Sequence, residues 1–201
     1  MKPRLVIPAI IILSITVTLV ACGSMGSKAN VDVNEYKNDV FGYSFQYPAT
    51  CTFGPMPKGC KGSPPEERPQ ECLCFLDAEN PKQVFMQAFL GDPEQGLSLA
   101  TFSISSYDSP AYSIPEGVEL VSQLKEYFSE MYGDIPDEPN AEIGGLPAVD
   151  LYYSGSPMGT SSREIYFIKN GRLVQISMLT VEVKENLALY ELILSSFSFD
   201  E

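Results

Sequence analysis

The chain of 201 residues has 26 acidic and 13 basic residues, a formal net charge of −13, and no histidine. This charge balance argues against a nucleic-acid-binding protein, because nucleic-acid phosphates require clustered lysine and arginine. The absence of histidine removes the commonest general base and the commonest transition-metal ligand, so we expect no cofactor. The length fits one domain with a single core, to which eleven Phe and eleven Tyr contribute.

The chain begins with a targeting segment. Lys2 and Arg4 precede an apolar run over 5–20, which leads into Ala21 and Cys22. A positive start, a short apolar stretch and a small residue before a cleavage point are typical of a secretory signal peptide. The alternative is an uncleaved membrane-spanning helix, but such a helix needs about 20 apolar residues and this run is shorter.

The stretch Leu19-Val20-Ala21-Cys22 resembles the lipobox of prokaryotic lipoproteins. In that family the cysteine carries a diacylglycerol and becomes the first residue after cleavage. The resemblance therefore implies a signal peptide over 1–21, lipidation at Cys22 and attachment to the extracytoplasmic face of the cell membrane through that lipid. Residues 22–31 are expected to form a lipidated tether to a single domain over 32–201. Removal of Lys2 and Arg4 with the signal peptide shifts the net charge to about −15.

The first part of the domain carries strand patterns. Aromatic residues alternate with polar or small ones in the stretch Tyr36–Pro48, which predicts one half-buried strand ended by Pro48. The alternating aromatic residues are Phe41, Tyr43, Phe45 and Tyr47. A proline-rich loop follows over 49–71. Three further strands are predicted over 72–76, 84–90 and 97–107.

The second part of the domain mixes helices and strands. A helix is predicted over 115–132, where apolar residues recur at helical spacing. These residues are Val118, Val121, Leu124, Phe128 and Met131. An acidic loop over 134–142 leads to a strand over 148–153. The runs 163–169 and 172–179 flank Asn170-Gly171, which predicts a hairpin with a type I′ turn.

The last element is a helix predicted over Lys184–Ser196. Its expected apolar face consists of Leu187, Tyr190, Leu194 and Phe197. The order of strands, helix, strands and helix predicts an α+β fold with a mainly antiparallel sheet flanked by helices.

Several segments together resemble PsbP-like domains. They are Phe41-Gly42-Tyr43-Ser44-Phe45-Gln46-Tyr47-Pro48, Gly145-Leu146-Pro147-Ala148 before a strand, the hairpin Arg163–Met178, and the helix end Ile193-Leu194-Ser195-Ser196-Phe197-Ser198-Phe199. The resemblance implies an α/β/α sandwich over 32–201. Photosynthetic members are non-catalytic extrinsic subunits of photosystem II, so it also implies a binding or accessory module rather than an enzyme. The metal-binding histidines of some members have no counterpart here, and the tryptophan that often follows Tyr-Pro is absent.

Four cysteines lie in or next to the proline-rich loop, namely Cys51, Cys60, Cys72 and Cys74. Outside the cytoplasm four cysteines most often form two disulfides, and three pairings are open. The alternative is a zinc site, but the spacing fits no zinc-ribbon pattern. The nested pairs Cys51–Cys74 and Cys60–Cys72 are preferred, because they tie the loop to the strand that follows it. Reduction is expected to loosen this loop first and to leave the hairpin at Asn170-Gly171 folded, because the core is expected not to depend on the loop.

Two further patterns point to chemistry. Ser122 and Lys125 match the Ser-x-x-Lys motif of penicillin-binding enzymes, although the companion motifs are absent. They define the alternative function, an extracytoplasmic hydrolase that uses this pair or carboxylates. The acids of the 134–142 loop offer oxygen ligands for calcium, but they lack the spacing of an EF-hand. These acids are Asp134, Asp137, Glu138 and Glu142. No ligand or protein partner can be named from the sequence.

Overall fold

Two β-sheets and two α-helices make up the described part of this computed structural model, which covers residues 32–58, 60, 64, 67–91, 97–106, 119–128, 134–154 and 161–200. These residues belong to one compact unit spanning Val31–Glu201. The predicted signal peptide, the predicted lipidation site at Cys22 and the predicted tether up to residue 31 lie outside the described residues.

The large sheet has eight strands in the order β3-β4-β5-β6-β10-β9-β8-β7, and the small sheet has the order β1-β2-β11. All pairs are antiparallel except β3 with β4. The elements are β1 Val33–Asn38, β2 Tyr43–Pro48, β3 Thr52–Phe53, β4 Cys74–Asp77, β5 Gln83–Leu90, β6 Ser98–Ser106, α1 Leu120–Phe128, β7 Ala141–Ile143, β8 Leu146–Tyr153, β9 Ser162–Lys169, β10 Arg172–Leu179, α2 Lys184–Ser196 and β11 Ser198–Phe199. The coarse prediction of an α+β fold with a mainly antiparallel sheet is therefore confirmed.

The core lies mainly on one face of the large sheet. The small sheet and α2 cover this face, and their aromatic side chains meet those of the large sheet, as in the contact of Phe45 with Phe102 at 5.6 Å between ring centroids. The opposite face carries a smaller cluster, in which α1 packs Leu124 and Phe128 against β8, β9 and β10. Period-two alternation explains both clusters, because successive residues of each strand face opposite sides of the sheet.

Tyr190 fixes α2 to the middle of the large sheet. Its hydroxyl donates to the carbonyl of Leu179 on β10 and accepts from the amide of Thr101 on β6 at 3.0 Å. The side chain is fully buried, and burial raises the pKa of Tyr190 to about 12. One phenol therefore joins the helix to two neighbouring central strands.

The hairpin and the last helix agree closely with the predictions. The strand Arg172–Leu179 and the helix Lys184–Ser196 have the predicted bounds, and the first hairpin strand begins one residue earlier, at Ser162. Asn170 and Gly171 both adopt positive φ, 53° and 69°, as a type I′ turn requires. The register pairs Lys169 with Arg172.

The single strand predicted over Tyr36–Pro48 is wrong, because the chain reverses within it. β1 ends at Asn38, whose side-chain oxygen accepts from the amides of Val40 and Phe41, both at 3.1 Å. Gly42 has φ 64° and donates its amide to the Asn38 carbonyl at 2.8 Å. Phe41 is therefore buried from a turn rather than from a strand.

Three other predicted elements need correction. Cys72 lies in a short 3-10 helix, Gln70–Cys72, and the strand begins at Cys74. The buried face of α2 is rotated from the predicted one, since Leu187 is exposed while Leu189 and Ile193 are buried. The predicted acidic loop contains the strand β7, which pairs with β8 across a Gly-Gly turn. Of the helix predicted over 115–132, the described part is α1.

The two disulfides are Cys51–Cys74 and Cys60–Cys72, which is the preferred nested pairing. All four cysteines are buried. Cys51 and Cys74 belong to the main core cluster. The outer bridge therefore lies within the main core, and the order in which parts of the domain loosen on reduction stays a prediction.

Candidate binding cleft at the edge of the large sheet

The edge strand β7 covers only part of its neighbour β8. β7 has three residues and β8 has eight, so strand pairing extends only over Leu146–Ala148. Beyond this point the side chain of Asn140 replaces the missing strand. Its Oδ1 accepts from the amide of Asp150 at 2.8 Å, and its Nδ2 donates to the Asp150 carbonyl at 2.9 Å.

Past Asp150 the edge of β8 is open within the described residues. Along an antiparallel strand, the backbone polar groups of alternate residues point to the same side. The N–H and C=O of Tyr152 therefore face the same edge as those of Asp150, on which no described strand pairs with them. An unpaired strand edge is a template for another extended chain.

A cleft of about 310 Å³ lies between this edge and the loop that leads into β7. Its walls combine an exposed aromatic ring, backbone and acidic groups. The lining residues are Asp134, Pro136, Asn140, Asp150, Leu151, Tyr152 and Tyr153. The side chain of Tyr152 is the most accessible large apolar group here, since this residue is 59% exposed.

The two carboxylates of the cleft differ in their ion pairing. Asp150 binds the Arg163 guanidinium in two-pronged geometry, with an Nη2–Oδ2 distance of 2.6 Å and an Nε–Oδ1 distance of 3.0 Å. The hydrogen bond to Asp150 raises the pKa of Arg163, and burial acts in the opposite direction. Asp134 is exposed, and no described residue forms an ion pair with it. The cleft therefore presents the negative charge of Asp134.

The predicted hydrolase pair lies on the outer surface of α1. Ser122 and Lys125 are both exposed, and Lys125 Nζ is 2.6 Å from Asp137 Oδ1. This contact lowers the pKa of Asp137 and links the acidic loop to α1. The structure thus gives Lys125 an ion-pairing partner, while the hydrolase function stays a prediction.

The predicted calcium ligands are divided between different environments. Asp137 is paired with Lys125, and Glu142 lies within β7. Across the described ranges no group of three or more Asp, Glu, Cys or His side chains is arranged to hold a metal ion.

A second polar cluster lies on the face of the sheet that α1 covers. Glu164 Oε2 accepts from the hydroxyl of Tyr166 and from Gln175 Nε2, the latter at 2.9 Å. Tyr166 is fully buried and lies against Phe128 at 5.4 Å between ring centroids. These hydrogen bonds satisfy polar groups that the helix covers, as buried polar groups require.

Of the residues that line the cleft, only Asp134 was a candidate from the sequence, and it was one as a calcium ligand. Asp150 and Tyr152 are two positions apart in a predicted strand, so alternation already places them on one face. No sequence pattern indicated the role of Asn140, because this role depends on where β7 ends relative to β8.

Comparison with known proteins identifies no family. No protein-family model matches the chain, and no curated protein matches it significantly. The resemblance to PsbP-like domains therefore rests on the motifs quoted above. In the part of the chain that the structure describes, neither helix is long and apolar enough to cross a membrane.

Proposed function

We propose that this chain is a lipid-anchored, extracytoplasmic binding module with a PsbP-like domain, which holds a protein partner at the membrane surface and catalyses no reaction. The cleft beside β8 is the observation that carries the proposal. It offers strand backbone at Tyr152 with which no described strand pairs, an exposed ring and the charge of Asp134, and such groups bind partners.

The anchoring part of the proposal is supported by the N-terminal sequence. Residues 23–30 are mostly small or polar, and a random coil of eight such residues spans roughly 15 Å. A domain on so short a tether stays close to the membrane. Two acyl chains on Cys22 suffice for stable attachment without a membrane-spanning helix.

The non-catalytic part is supported by the surroundings of the cleft. General acid–base chemistry needs a side chain that is positioned to exchange a proton with a substrate. Asp150 is instead held by Arg163, and its backbone is held by Asn140. Both contacts fit a group that shapes the edge of the sheet.

Replacing the cysteine tests the anchor. The variant Cys22→Ser is expected to lose the acyl mass and to remain unprocessed or soluble in the native host. Intact-mass spectrometry and partitioning into detergent measure both properties. A variant that is still cleaved and still enters detergent contradicts the assignment of Cys22.

A photo-crosslinking amino acid at position 152 tests the binding surface in the native membrane. The matched control carries the same crosslinker at position 187, which is also exposed but lies on α2. We expect one protein band to crosslink from position 152 and not from position 187. Equal labelling from both positions, or none from position 152, contradicts a binding site at the cleft.

A further inference from the structure

We propose that the cleft takes up a basic, extended peptide segment of its partner, which adds to the large sheet as a strand beside Tyr152. This inference rests on the proposed function, because it specifies how the binding module recognises its partner. It follows from the hydrogen-bonding pattern, the side chains and the charge of the cleft.

The hydrogen-bonding pattern at the edge is that of an interrupted strand pair. β7 pairs with β8 up to Ala148, and the Asn140 amide then occupies the next outward-facing position at Asp150. The following outward-facing position is Tyr152. A peptide that continues this series accepts a hydrogen bond from the Tyr152 N–H and donates one to its carbonyl.

The side chains around this position favour an extended peptide with alternating character. A peptide residue opposite Tyr152 lies on the same face as the exposed ring, and a β-branched residue there forms a favourable cross-strand pair. The adjacent peptide residues point to the other face, on the side of Leu151 and Tyr153. Ile135 packs on that side, and Asp134 precedes it in the chain.

Charge selects a basic peptide over a second copy of this chain. Asp134 lines the cleft, and the whole chain has a net charge of −13. A second copy brings the same acidic edge and the same net charge, so like charges oppose edge-to-edge pairing of two copies. A lysine or arginine beside the residue opposite Tyr152 instead meets a complementary field.

The test uses a six-residue peptide of alternating lysine and valine with blocked ends, added to the full chain in detergent. The decisive control is the same peptide with N-methyl groups on the backbone nitrogens that face β8. It keeps the charge and the side chains but cannot donate to the Tyr152 carbonyl. A peptide of alternating glutamate and valine tests the charge preference.

We expect the lysine–valine peptide to bind at least tenfold more tightly than either control, as measured by fluorescence anisotropy. Hydrogen exchange at the Tyr152 amide is expected to slow at least tenfold on binding, while exchange at Leu179 in the sheet centre stays unchanged. Asp134→Asn is expected to weaken binding severalfold and to reduce its dependence on salt.

Equal binding of the N-methylated peptide overturns the proposal, because the attraction is then charge alone. Protection of the Tyr152 amide before any peptide is added, together with a dimeric mass, overturns it in favour of self-association. Two variants at position 152 test the amide donor. Tyr152→Pro removes it and Tyr152→Val keeps it, so we expect the lysine–valine peptide to bind the Val variant more tightly than the Pro variant. If the peptides fail while position 152 still crosslinks a partner, strand addition is wrong and the binding module stands.

Discussion

The two ends of the eight-stranded sheet are closed in different ways. At one end, the two-residue strand β3 runs parallel to β4, and the Cys51–Cys74 disulfide joins the turn before β3 to the first residue of β4. A second disulfide, Cys60–Cys72, closes the loop between them. At the other end, β7 is also short, and among the described residues it is extended by Asn140, whose backbone amide binds the Ala148 carbonyl and whose side chain binds the Asp150 backbone.

This difference separates a permanent closure from a reversible one. A covalent bridge keeps an edge closed even when local packing fluctuates. Hydrogen bonds from one exposed amide contribute about 1 kcal/mol each and open easily. Segments that bind ligands come from such low-stability parts of a protein. The stable end of the sheet is therefore at β3, and the adaptable end is at β7 and the uncovered part of β8.

Removing the outer disulfide is expected to give the largest loss of stability. Cys51→Ala with Cys74→Ala removes a bridge between residues 23 positions apart, which contributes about 3 kcal/mol in the chain-entropy model. Because both cysteines lie in the main core, the smaller alanine side chains add a packing loss, for a total of about 4 kcal/mol. Urea denaturation measures the free energy of unfolding.

The inner bridge is the matched control for this prediction. Cys60→Ala with Cys72→Ala opens a loop between residues 12 positions apart, and its expected loss is about 3 kcal/mol. Neither residue belongs to the main core cluster. A larger loss from the inner pair than from the outer pair contradicts the role assigned to the core position of Cys51 and Cys74.

The stability of the folded state at alkaline pH tests the centre of the sheet, which lies between the two ends. The pKa of Tyr190 is raised by burial from 10.0 to about 12, so the neutral phenol stabilises the folded state. Its contribution is complete below pH 10 and is lost as the pH rises to about 12, by about 3 kcal/mol. Burial also raises the pKa of Tyr36 and Tyr43, so they add to the loss in the same direction.

The variant Tyr190→Phe isolates the part of this pH-dependent loss of stability that comes from Tyr190. At pH 8 the variant leaves the Thr101 amide and the Leu179 carbonyl without this partner, for an expected loss of about 1–3 kcal/mol. The difference from the natural protein is expected to shrink above pH 10. Denaturation curves at pH 8 and pH 11.5 measure it. A difference that stays constant with pH contradicts the assignment to Tyr190.

Asn140→Ala is expected to have the smallest effect and to act only at the open edge. It removes two exposed hydrogen bonds to the Asp150 backbone, for an expected loss of about 1–2 kcal/mol. Hydrogen exchange is expected to accelerate at Asp150 and not at Phe75 on β4. Asn140→Asp accepts from the Asp150 amide but cannot donate to its carbonyl. Its free energy of unfolding is expected to lie between those of the natural protein and Asn140→Ala. Equal acceleration at both ends contradicts a local role.

Local sequence signals predicted those parts of the fold that local chemistry decides. Asn170-Gly171 predicted its hairpin because two positive φ angles admit few other residue pairs. The bounds of α2 were predicted because helical periodicity persists from Lys184 to Ser196. The observed disulfide pairing was the preferred one because nested bridges tie the proline-rich loop to the strand that follows it, although the sequence left three pairings open.

The remaining features depend on contacts between distant segments. The turn after Asn38 is an exception, because its contacts are local: the Asn38 side chain accepts from Val40 and Phe41, and Gly42 adopts positive φ. It was missed because the alternation of aromatic residues continues through it. The burial of Asn186 on α2 reflects its hydrogen bond to the Ser98 hydroxyl on β6, 88 residues earlier. The cleft beside β8 depends likewise on the relative lengths of β7 and β8, which periodicity does not give.

The position of β11 beside β2 constrains the order in which the molecule is completed during synthesis. The hydroxyl of Ser44 on β2 is hydrogen-bonded to that of Ser198, which is 154 positions later in the chain. The backbone amide of Gln46 donates to the hydroxyl of Ser196, which is 150 positions later. Phe197 covers Tyr43 at 5.3 Å between ring centroids. The small sheet therefore joins β2 to residues that are synthesised 150 or more positions later. A chain that ends before Phe197 lacks this cover for Tyr43, so the nascent domain stays open and prone to aggregation until residues 196–199 have been added.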